Sequence, residues 1–571
     1  MAIKILDPQV VSRIAAGEVV ERPASVVKEL VENSLDASAS QISVETGGGG
    51  VSLIRVSDNG MGIPATELEL AFQRYATSKI SSSDDLASIS SLGFRGEALP
   101  SIAAVAQVEI VTCPAGEPAG NFLSIKEGVK INQGSRGHPQ GTTVTVRNLL
   151  RNLPARLKFL KSTATENSHI ASVVSQYALA FPEVKFTLSI DGKVILRTPG
   201  SGRLIDSIIE VYGLETARNM LEVNSEDGGW GNGSALSSLK VTGMVSSPAV
   251  SRSSRGYLSF FINRRWINSR LLSWAVEEAY HGLLMTGKHP LAVINLSLPA
   301  GEVDVNVHPA KSEVKFQNER LIFSSLQKAV RRALIETAPV PRIEDVAIAY
   351  GRPAAHQPLK ALPVIASLPG ISPPVTQPTP SLSLPALRLL GQLASTYIVA
   401  EGPQGLYLID QHAAHERVLF EQILRQSRQQ EVEVQGLLEP ATFEVTPEED
   451  ETLKLYYVNL GEFGFNIEPF GSRSYLVRAV PLLLHRKDWA GAFRELLDSL
   501  SLETESDWRE RLATVLACHS AVRAGKGLTD QEMRELLRQL EQATNSHTCP
   551  HGRATMIRLS SEQLEKEFGR R

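Results

Sequence analysis

Apolar and polar residues alternate with two different periods along the first 338 positions of the chain. Alternating runs such as "VSLIRVSD", "TTVTVRNL" and "LAVINLSL" predict half-buried β-strands. Among them, "SVVKELVENSLDA" places Val27, Leu30 and Val31 at helical spacing and predicts an amphipathic helix over residues 25–37. Because helices and strands are mixed within one block, the pattern predicts a fold of the α+β or α/β class.

A second block begins near residue 386 and has its own pattern. The apolar run "GLYLID" predicts a buried strand, and Ala413, Val418, Leu419 and Ile423 then mark the apolar face of a helix. Further helical stretches, such as "TDQEMRELLRQLEQA", surround short strands.

The two blocks are separated by a proline-rich segment. Residues 339–385 contain eleven prolines among 47 residues and have no sustained periodicity. Connections of this length without structure are uncommon inside a compact domain. We therefore predict a disordered interdomain linker.

Length and composition narrow the class of protein. The chain has 571 residues, which is too long for one core and predicts about two to four domains. Three cysteines are too few for a disulfide framework, and we find no secretion signal or apolar run of about 18 residues. We expect a cytoplasmic protein with no membrane partner. Because the net charge is only −4, any contact with nucleic acid needs a local basic patch.

The predicted helix over residues 25–37 has a polar side formed by Glu29, Glu32, Asn33 and Asp36. A carboxylate and an amide four residues apart can divide labour, one as general base for a water and the other as an oxygen ligand of Mg²⁺. The alternative is a solvated helix face that binds nothing.

Glycine-rich turns follow this helix. In "VSDNGMGI" two glycines let the backbone turn sharply beneath a ligand while Asp58 faces it. Next come "RYATSKI", with Lys79, and "SLGFRGEAL", with its two glycines. Glycines that open a helix expose backbone N–H groups to phosphates, and a lysine adds positive charge. Each turn is a weak signal alone, but together they indicate a nucleotide site.

Taken in this order, the segments resemble the ATPase family that includes gyrase B, the Hsp90 chaperones, histidine kinases and MutL, the GHKL ATPases. The string "GFRGEAL" narrows the resemblance to the MutL mismatch-repair branch, and so does "GEVDVNVHPAKSEVKF". The resemblance covers the chain except for its linker.

The resemblance implies an α+β architecture. It implies a GHKL (Bergerat) ATPase domain at 1–215, a second α/β, S5-like subdomain at 216–338, and, after the linker, a C-terminal α/β domain at 386–571 for dimerisation and endonuclease activity. A regulatory subdomain, at about 441–515, would be inserted into that last domain. We refer to residues 441–515 as the inserted subdomain.

The same resemblance implies roles at an ATP and Mg²⁺ site. Glu29 would activate the attacking water, and Asn33 would hold Mg²⁺. Asp58 would accept a hydrogen bond from the adenine amino group, and Lys311 would reach the γ-phosphate from the second subdomain. The other expected contacts are Thr142 or Thr143 in support of Asp58, Gly60 and Gly62 beneath the base, and Asp36, Thr77, Ser78, Lys79, Gly93, Phe94, Arg95, Gly96, Glu97, Ala98 and Leu99.

A basic segment, "SRSSRGYLSFFINRRWINSRLL", interleaves arginines with aromatic residues. Such a surface can contact DNA phosphates without reading bases. The alternative is a solvated strand–loop face. The resemblance implies a DNA-contacting arginine at Arg265, and we expect Arg264 and Arg270 to join it in DNA binding that is not sequence-specific.

The second block offers candidate metal ligands. In "DQHAAHERVLFE", His412 and Glu416 lie four residues apart on one helix face, with Asp410 at the helix start. Cys518 and Cys549 each lie near a histidine, in "LACHSAVRAG" and "TCPHGRATM". Mixed N, O and S ligands suit a Zn²⁺- or Mn²⁺-type site. The alternatives are an aspartate that only caps its helix and cysteines that only fill a core.

The resemblance extends to these motifs. "DQHAAHERVLFE" fits the metal-binding endonuclease motif of MutL proteins that nick DNA, and "ACHSA", "CPHGR" and "FGR" are its companion motifs. His519 departs from the family pattern, in which many relatives carry arginine or lysine, so its role stays open. The implied ligands are Asp410, His412, Glu416, Cys549 and His551, with Cys518 as a further candidate; Asp410 and Glu416 would be catalytic.

Function and partners follow from the resemblance. It implies an ATP-dependent matchmaker that links a MutS-type mismatch sensor to later repair steps, works as a homodimer, nicks DNA and associates with the nucleoid during repair. The alternative is an ATP-gated clamp that cuts nothing and holds a structural zinc. The short sequence "QGLLEP" resembles a motif that docks on the sliding clamp, with Gln435, Leu437, Leu438 and Pro440 as the expected contacts.

Overall fold

A computed structural model describes residues 20–79, 91–93, 96–225, 239–284, 287–304, 314–337, 387–484, 488–501, 507–522 and 525–567. The chain divides into two compact units. The first unit comprises Met1–Leu334 together with Gln426–Leu516, and the second comprises Ile335–Arg425 together with Ala517–Arg571. The predicted linker at 339–385 lies outside the described residues.

The N-terminal part of the first unit is built on an eight-stranded sheet with the order β5-β4-β3-β6-β2-β1-β7-β8. Neighbouring strands are antiparallel, except that β1 and β7 are parallel. The run predicted as a strand at 51–58 forms β2, whose Ile54 and Val56 are buried. The strands are β1 (Gln41–Gly47), β2 (Leu53–Asp58), β3 (Gln107–Cys113), β4 (Gly120–Lys126), β5 (Val129–Arg136), β6 (Gly141–Arg147), β7 (Lys185–Ile190) and β8 (Lys193–Arg197).

Two helices, α1 (Pro23–Asp36) and α4 (Thr163–Ala180), pack against each other and against this sheet. Helix α1 is the helix predicted at 25–37, and its Val27, Leu30 and Val31 are buried. It begins at a proline, whose fixed φ suits the first helical position. Shorter helices complete this part: α2 (Ala98–Val105), α3 (Pro154–Leu157), α5 (Leu204–Tyr212) and α6 (Leu214–Arg218).

A five-stranded sheet with the order β13-β12-β15-β10-β9 follows in the first unit. Strand β15 was predicted from its alternation and runs parallel to β12. The helices of this part pack against the sheet through Leu272, Val276 and Leu326. The elements are β9 (Met220–Ser225), β10 (Lys240–Ser246), β11 (Ser251–Arg252), β12 (Leu258–Ile262), β13 (Arg265–Ile267), α7 (Arg270–Ala279), β14 (His289–Pro290), β15 (Ala292–Ser297), β16 (Val303–Asp304), β17 (Lys315–Phe316) and α8 (Glu319–Thr337).

A three-stranded sheet, β21-β23-β22, and two helices account for most of the inserted subdomain. Its core contains Phe493, whose ring packs edge-on against Phe443 and tilted against Phe465. These residues cluster with the N-terminal part of the chain in the first unit, which the sequence did not predict. The elements are β21 (Val434–Glu444), α10 (Pro447–Glu462), β22 (Asn466–Gly471), β23 (Ser474–Pro481) and α11 (Trp489–Ser501), followed by α12 (Trp508–Ser520).

The second unit contains a four-stranded antiparallel sheet with the order β18-β19-β20-β24. One face of it packs through Ile398, Ala400 and Ile409 against helices that contribute Ala414 and Leu537. The predicted strand "GLYLID" is β20. The elements are β18 (Arg388–Leu393), β19 (Tyr397–Gly402), β20 (Gly405–Asp410), α9 (Gln411–Gln429), α13 (Asp530–Glu541), β24 (Met556–Leu559) and α14 (Ser561–Glu567).

The α+β prediction is confirmed, because each unit combines largely antiparallel sheets with helices packed on them. Within the described part of the chain, no helix has both the length and the apolar character needed to cross a membrane.

Candidate functional site

A cavity of about 1290 Å³ opens beside helix α1 in the first unit, and it is large enough for a nucleoside triphosphate. We call it the nucleotide cavity. Gly60 and Thr143 lie beside its lining, and Phe94, Arg95 and Lys311 fall outside the described residues. The other residues predicted to contact ATP line it: Glu29, Asn33, Asp36, Asp58, Gly62, Thr77, Ser78, Lys79, Gly93, Gly96, Glu97, Ala98, Leu99 and Thr142.

Asp58 lies at the end of β2, and three donors hold its carboxylate in place. Ser34 Oγ donates to Oδ2 at 2.8 Å, while the backbone N–H groups of Gly60 and Thr142 donate to Oδ1 at 2.9 and 3.2 Å. Burial raises the pKa of this carboxyl, and the three hydrogen bonds oppose that rise. An acceptor fixed in this way can receive the amino group of a purine. The hydroxyl of Thr143 donates instead to Ser57, at 3.0 Å.

The other end of the nucleotide cavity is built to hold positive charge. The ammonium of Lys79 donates to Asn33 Oδ1 at 2.9 Å and to Asp36 Oδ2 at 2.5 Å. Asp36 also accepts the backbone N–H groups of Leu92 and Gly93, at 2.8 and 3.0 Å. The amide and carboxylate oxygens therefore converge on a cation, and these are the ligand atoms that Mg²⁺ prefers. The residues present fit the ion that the sequence predicts there.

Two predicted glycines lie where a side chain would collide with backbone. A Cβ atom at Gly60 would lie 2.7 Å from the carbonyl oxygen of Ala37. At Gly62, which has a φ of +74°, it would lie 2.5 Å from the carbonyl oxygen of Cys113. Both glycines thus allow the chain after β2 to run close to its neighbours beneath the cavity.

The predicted DNA-binding arginines separate into exposed and buried residues. Arg264 is exposed, forms an ion pair with Glu183 and lies over the ring of Phe181, and Arg270 is exposed at the start of α7. Arg265 is only 7% exposed, and its Nη2 donates to the carbonyl oxygen of Ser91 at 2.9 Å. Arg265 therefore does not lie on a surface that DNA could contact, because β13 turns it inward.

In the second unit, a carboxylate, a thiol and an imidazole converge. Potential ligand atoms of Glu416, Cys549 and His551 all lie within 4.8 Å of one another, and we call these three residues the metal cluster. His412 Nε2 lies 3.3 Å from Glu416 Oε1, and His551 Nδ1 lies 3.5 Å from Glu416 Oε2. The ring of His412 is oriented by its Nδ1, which lies 2.9 Å from the carbonyl oxygen of Val522. One carboxylate, imidazoles and a thiol form a ligand set that suits a divalent transition metal.

Glu416 is buried and supplies the carboxylate of the metal cluster. Burial alone raises the pKa of this carboxyl, but hydrogen bonds and charges from His412 and His551 outweigh burial and hold the pKa well below its usual range. The bond to Glu416 in turn raises the pKa of the His412 imidazole. Glu416 is thus held ionised, as a metal ligand must be.

Asp410 combines the two interpretations that the sequence left open. Its Oδ1 accepts the backbone N–H groups of His412 and Ala413, at 2.9 and 3.0 Å, so it caps helix α9. Neither Asp410 nor Cys518 belongs to the three residues of the metal cluster. Cys549 is 1% exposed, so it lies at the buried side of the cluster.

The "QGLLEP" segment leaves its sheet as a wide bulge. Gly436 pairs with Ala479 and Ala441 pairs with Val477, so four residues of β21 lie opposite a single residue of β23. Leu438, within this bulge, is fully exposed. A leucine presented in this way is available to a partner protein.

One face of the four-stranded sheet in the second unit is apolar and open. Val399 pairs with Leu408, which pairs with Ile557, so these three side chains lie side by side opposite the packed face. Ile557 is 61% exposed and the nearby Tyr397 is 43% exposed. An open apolar sheet face of this kind is typical of a protein–protein interface.

Two residues that hold the nucleotide cavity together were not predicted. Ser34 positions Asp58, and Thr112 lies 2.9 Å from Thr142, hydroxyl to hydroxyl. Neither position has a sequence signal, because serine and threonine are common in helices and strands. The register between β2, β6 and β3 brings Thr112 beside Thr142, and the packing of α1 on the sheet brings Ser34 to Asp58.

Three family models match consecutive parts of the chain. Residues 21–137 match the model described as "Histidine kinase-, DNA gyrase B-, and HSP90-like ATPase". Residues 208–335 match "DNA mismatch repair protein, C-terminal domain", and residues 390–528 match "MutL C terminal dimerisation domain". Together with the nucleotide cavity, these matches define the class: an ATPase of the GHKL type joined to a dimerisation domain.

Curated relatives then identify the family. The DNA mismatch repair protein MutL of Desulforudis audaxviator is 43% identical over 574 residues, which cover 100% of this chain and 99% of the relative. The protein of the same name from Methanothrix thermoacetophila is 39% identical over 578 residues, with 100% of both chains covered. The chain therefore belongs to the MutL family of DNA mismatch repair proteins. A solved structure, the Aquifex aeolicus MutL ATPase domain complexed with ADP, is 27% identical and covers 56% of this chain and 100% of its own, with a TM-score of 0.40.

Proposed function

We propose that the chain is an ATP-driven matchmaker of mismatch repair that also nicks DNA with a divalent metal held by its C-terminal domain. The observation that carries the nuclease is the metal cluster, in which Glu416, Cys549 and His551 come together from separate segments. Access of water to the cluster is supported by the side chains of His412 and His551, which are 30% and 42% exposed.

ATP hydrolysis is assigned to the nucleotide cavity. Asp58 would accept the adenine amino group, and Asn33 and Asp36 would hold Mg²⁺ in place of the Lys79 ammonium that they bind here. Displacement of Lys79 would free its charge for the phosphates. Glu29 lines the same cavity one helical turn before Asn33, which supports its role as the base that activates water.

DNA cleavage is assigned to the metal cluster together with His412 and Asp410. A divalent ion bound there would supply an activated water and stabilise the charge on a scissile phosphate. The protein side chains would hold that ion: Glu416 as the ionised oxygen ligand, Cys549 as a buried thiolate, and His551 and His412 as imidazoles. Asp410, at the start of α9, would both cap the helix and hold the segment that carries these ligands.

DNA contact is assigned to Arg264 and Arg270. Both are exposed, and arginines bind backbone phosphates without reading sequence. Such binding would bring the chain to chromosomal DNA and so to the nucleoid.

Partner proteins are assigned to two surfaces. The exposed Leu438, on the β21 bulge, supports docking to a sliding clamp. The open apolar face around Leu408 and Ile557 supports a homodimer formed by the second unit, in agreement with the match to a dimerisation domain. A MutS-type mismatch sensor follows from the family alone.

A second candidate function is an ATP-gated clamp whose metal is structural zinc. It is favoured by Cys549, which is 1% exposed, because buried thiolates are typical of structural zinc sites. The two functions make different demands on the metal. A structural ion stabilises the fold, whereas a catalytic ion leaves an open position for water.

Nicking of supercoiled plasmid by the full chain, with Mn²⁺ and with chelator, separates the two functions. The nuclease predicts conversion to the open circular form with Mn²⁺, and loss of conversion with chelator while the thermal midpoint changes little. The clamp predicts no conversion under either condition and a lower midpoint after chelation. ATP hydrolysis measured in the same samples reports that the N-terminal site is intact.

A further inference from the structure

The inserted subdomain contacts the N-terminal part of the first unit through the start of helix α10. Asn167 of α4 donates through Nδ2 to Glu451 Oε2 at 3.2 Å, and Thr452 and its neighbours are buried there. A second contact joins Lys288 to Glu495 of α11 in an ion pair. Both contacts lie within one compact unit, so the inserted subdomain and the N-terminal part of the chain share a packed interface there.

The centre of this interface is the hydroxyl of Tyr257, which lies between two carboxylates. It lies 2.9 Å from Glu449 Oε1 and 2.8 Å from Asp498 Oδ1. Glu449 is 2% exposed and Asp498 is 6% exposed, so hydrogen bonds from protein groups must replace the hydration that both carboxylates lose on burial.

The Tyr257 hydroxyl contacts two carboxylates but has only one hydrogen. A phenol has one hydrogen to donate, and an ionised carboxylate can only accept. Two ionised carboxylates would have to share that single hydrogen. A proton on one of the two carboxylates, donated to the phenolic oxygen, would satisfy both contacts at once.

The proton belongs to Asp498, because Glu449 is already committed as an acceptor at both oxygens. Glu449 Oε2 accepts the backbone N–H of Thr446 at 2.7 Å in the capping box of α10, and its Oε1 accepts from Tyr257. The outer oxygen of Asp498, Oδ2, is buried without a hydrogen-bond partner among the described residues. A neutral acid tolerates that position better than an ionised one.

Charges around Asp498 agree with this assignment. Burial, and then the charge of Glu449, raise the pKa of Asp498 to about 7, while Tyr257, Arg252 and Arg494 oppose that rise. Burial, followed by the charge of Glu449, raises the pKa of the Tyr257 phenol well above its usual value, so the phenol keeps its hydrogen.

We propose that the inserted subdomain docks on Tyr257 and helix α4 through a contact that takes up one proton, carried by Asp498 in the chain Asp498–Tyr257–Glu449. Docking is therefore linked to pH. An undocked, solvated aspartate titrates near pH 4, so docking is strongest below that pH and weakens as the pH rises toward the docked value of about 7. Above that value the loss is complete and no further change follows.

The docked subdomain lies one helix away from the nucleotide cavity. Helix α4 contacts α10 through Asn167, and its Tyr177 donates to Glu32 of α1 at 2.6 Å. Helix α1 carries Glu29 and Asn33. The interface thus belongs to the surroundings of the ATP site, although the contact itself needs no nucleotide.

Zero-length carbodiimide cross-linking of the full chain tests the proposal, because it joins a lysine to a carboxylate only where they touch. The yield of the Lys288–Glu495 cross-link measures docking, and the Lys130–Glu69 pair, within the N-terminal part, corrects for the pH dependence of the reagent. We expect the corrected yield to fall at least about two-fold between about pH 6 and about pH 8. A corrected yield that does not change with pH would overturn the proposal.

Two variants and a matched control sharpen the test. Asp498→Asn supplies a permanent N–H donor in place of the proton, so its yield is expected to fall less between the two pH values than that of the parent. The fall that remains is assigned to Glu448, which bonds Ser172 of α4 and whose pKa is raised to about 7 by burial and by the charge of Glu449. Tyr257→Phe removes the shared hydroxyl and is expected to lower the yield at both pH values. Tyr475→Phe, whose hydroxyl bonds Asp450 within the inserted subdomain, serves as the control and is expected to behave as the parent. An Asp498→Asn variant whose yield falls with pH as much as that of the parent, or a Tyr257→Phe variant with the parent yield, contradicts the proposal.

The same cross-link shows whether the inserted subdomain docks on its own chain or on a second copy of the chain. Isotopically heavy and light chains are mixed before the reaction, and the joined peptides are weighed. Peptides that are wholly heavy or wholly light indicate docking within one chain, as proposed. Mixed peptides would overturn that arrangement in favour of docking between two copies.

Discussion

The Nε2 atom of His412 lies 3.3 Å from Oε1 of Glu416, one turn further along helix α9. On its other oxygen the same carboxylate faces His551, at 3.5 Å. Glu416 thus bridges two imidazoles from distant segments, and it does so beside a buried thiol. A helix face exposed to solvent would not collect these groups, so the opening stretch of α9 is more than a charged surface.

The general-base role of Glu29 predicts a kinetic defect without a binding defect. Glu29→Gln removes the carboxylate that activates water but keeps the size of the side chain. ATP hydrolysis is expected to fall at least about 100-fold, while ATP binding persists. Glu67→Gln, which changes another carboxylate that lines the nucleotide cavity, is the control. Steady-state hydrolysis at the parent rate by Glu29→Gln would rule the base out.

The exposed position of Arg270 predicts a phosphate contact that does not read sequence. Arg270→Glu is expected to weaken binding to unrelated duplexes equally, and to reduce the slope of log affinity against log salt by about one. Arg136→Glu, which reverses the charge of another exposed arginine on the edge strand β5, is the control and is expected to bind DNA as the parent does. Equal affinities of the parent and Arg270→Glu at low salt would count against a DNA surface here.

The open apolar face of the second unit predicts a dimer that one charge can break. Ile557→Glu places a carboxylate on the face that Leu408 shares, where burying it would cost several kcal/mol, on the order of an unpaired buried charge. Sedimentation is expected to show monomers for this variant and dimers for the parent. Ile131→Glu adds the same charge at another exposed apolar position and should leave the dimer intact. A dimeric Ile557→Glu variant would place the interface elsewhere.

The cap at the start of α9 predicts separate effects on stability and on cleavage. Asp410→Asn keeps an oxygen that can accept the N–H groups of His412 and Ala413, since asparagine and aspartate cap helices about equally well. Thermal stability is therefore expected to change little, whereas Mn²⁺-dependent nicking should fall by orders of magnitude if Asp410 also serves the metal. Nicking at the parent rate would leave Asp410 with the cap alone.

Local patterns were enough to predict the main elements, whereas most residues of the nucleotide cavity were expected from the family resemblance. Helix α1 and strand β2 follow from periodicity, because each buries one face against a neighbouring layer, whereas β15 is buried on both faces and its alternation is weaker than the prediction assumed. The residues that contact each other across the cavity, such as Lys79 and Asn33, come from segments 46 positions apart, and no local pattern encodes that contact.

Burial of single polar residues was the part that the sequence could not predict. Arg264 and Arg265 are neighbours of one type, yet the first is exposed and the second donates to Ser91 inside the unit. The difference depends on which side chain at the start of β13 faces the part of the first unit that contains the nucleotide cavity. In the same way, the position of the inserted subdomain depends on Tyr257, Glu449 and Asp498, which are far apart in sequence.

The most direct test of the nuclease is Mn²⁺-dependent nicking of supercoiled plasmid by Glu416→Gln, measured beside Glu421→Gln. Glu421 lies on the same helix, accepts the backbone N–H groups of Thr544 and Asn545 at 2.7 and 3.1 Å, and lies 3.9 Å from Arg417 Nη1, so it controls for loss of a carboxylate from α9. We predict that Glu416→Gln loses at least about 100-fold in nicking rate while it hydrolyses ATP and dimerises as the parent does. Glu421→Gln is expected to nick normally. Normal nicking by Glu416→Gln would contradict a metal-dependent nuclease built on this residue.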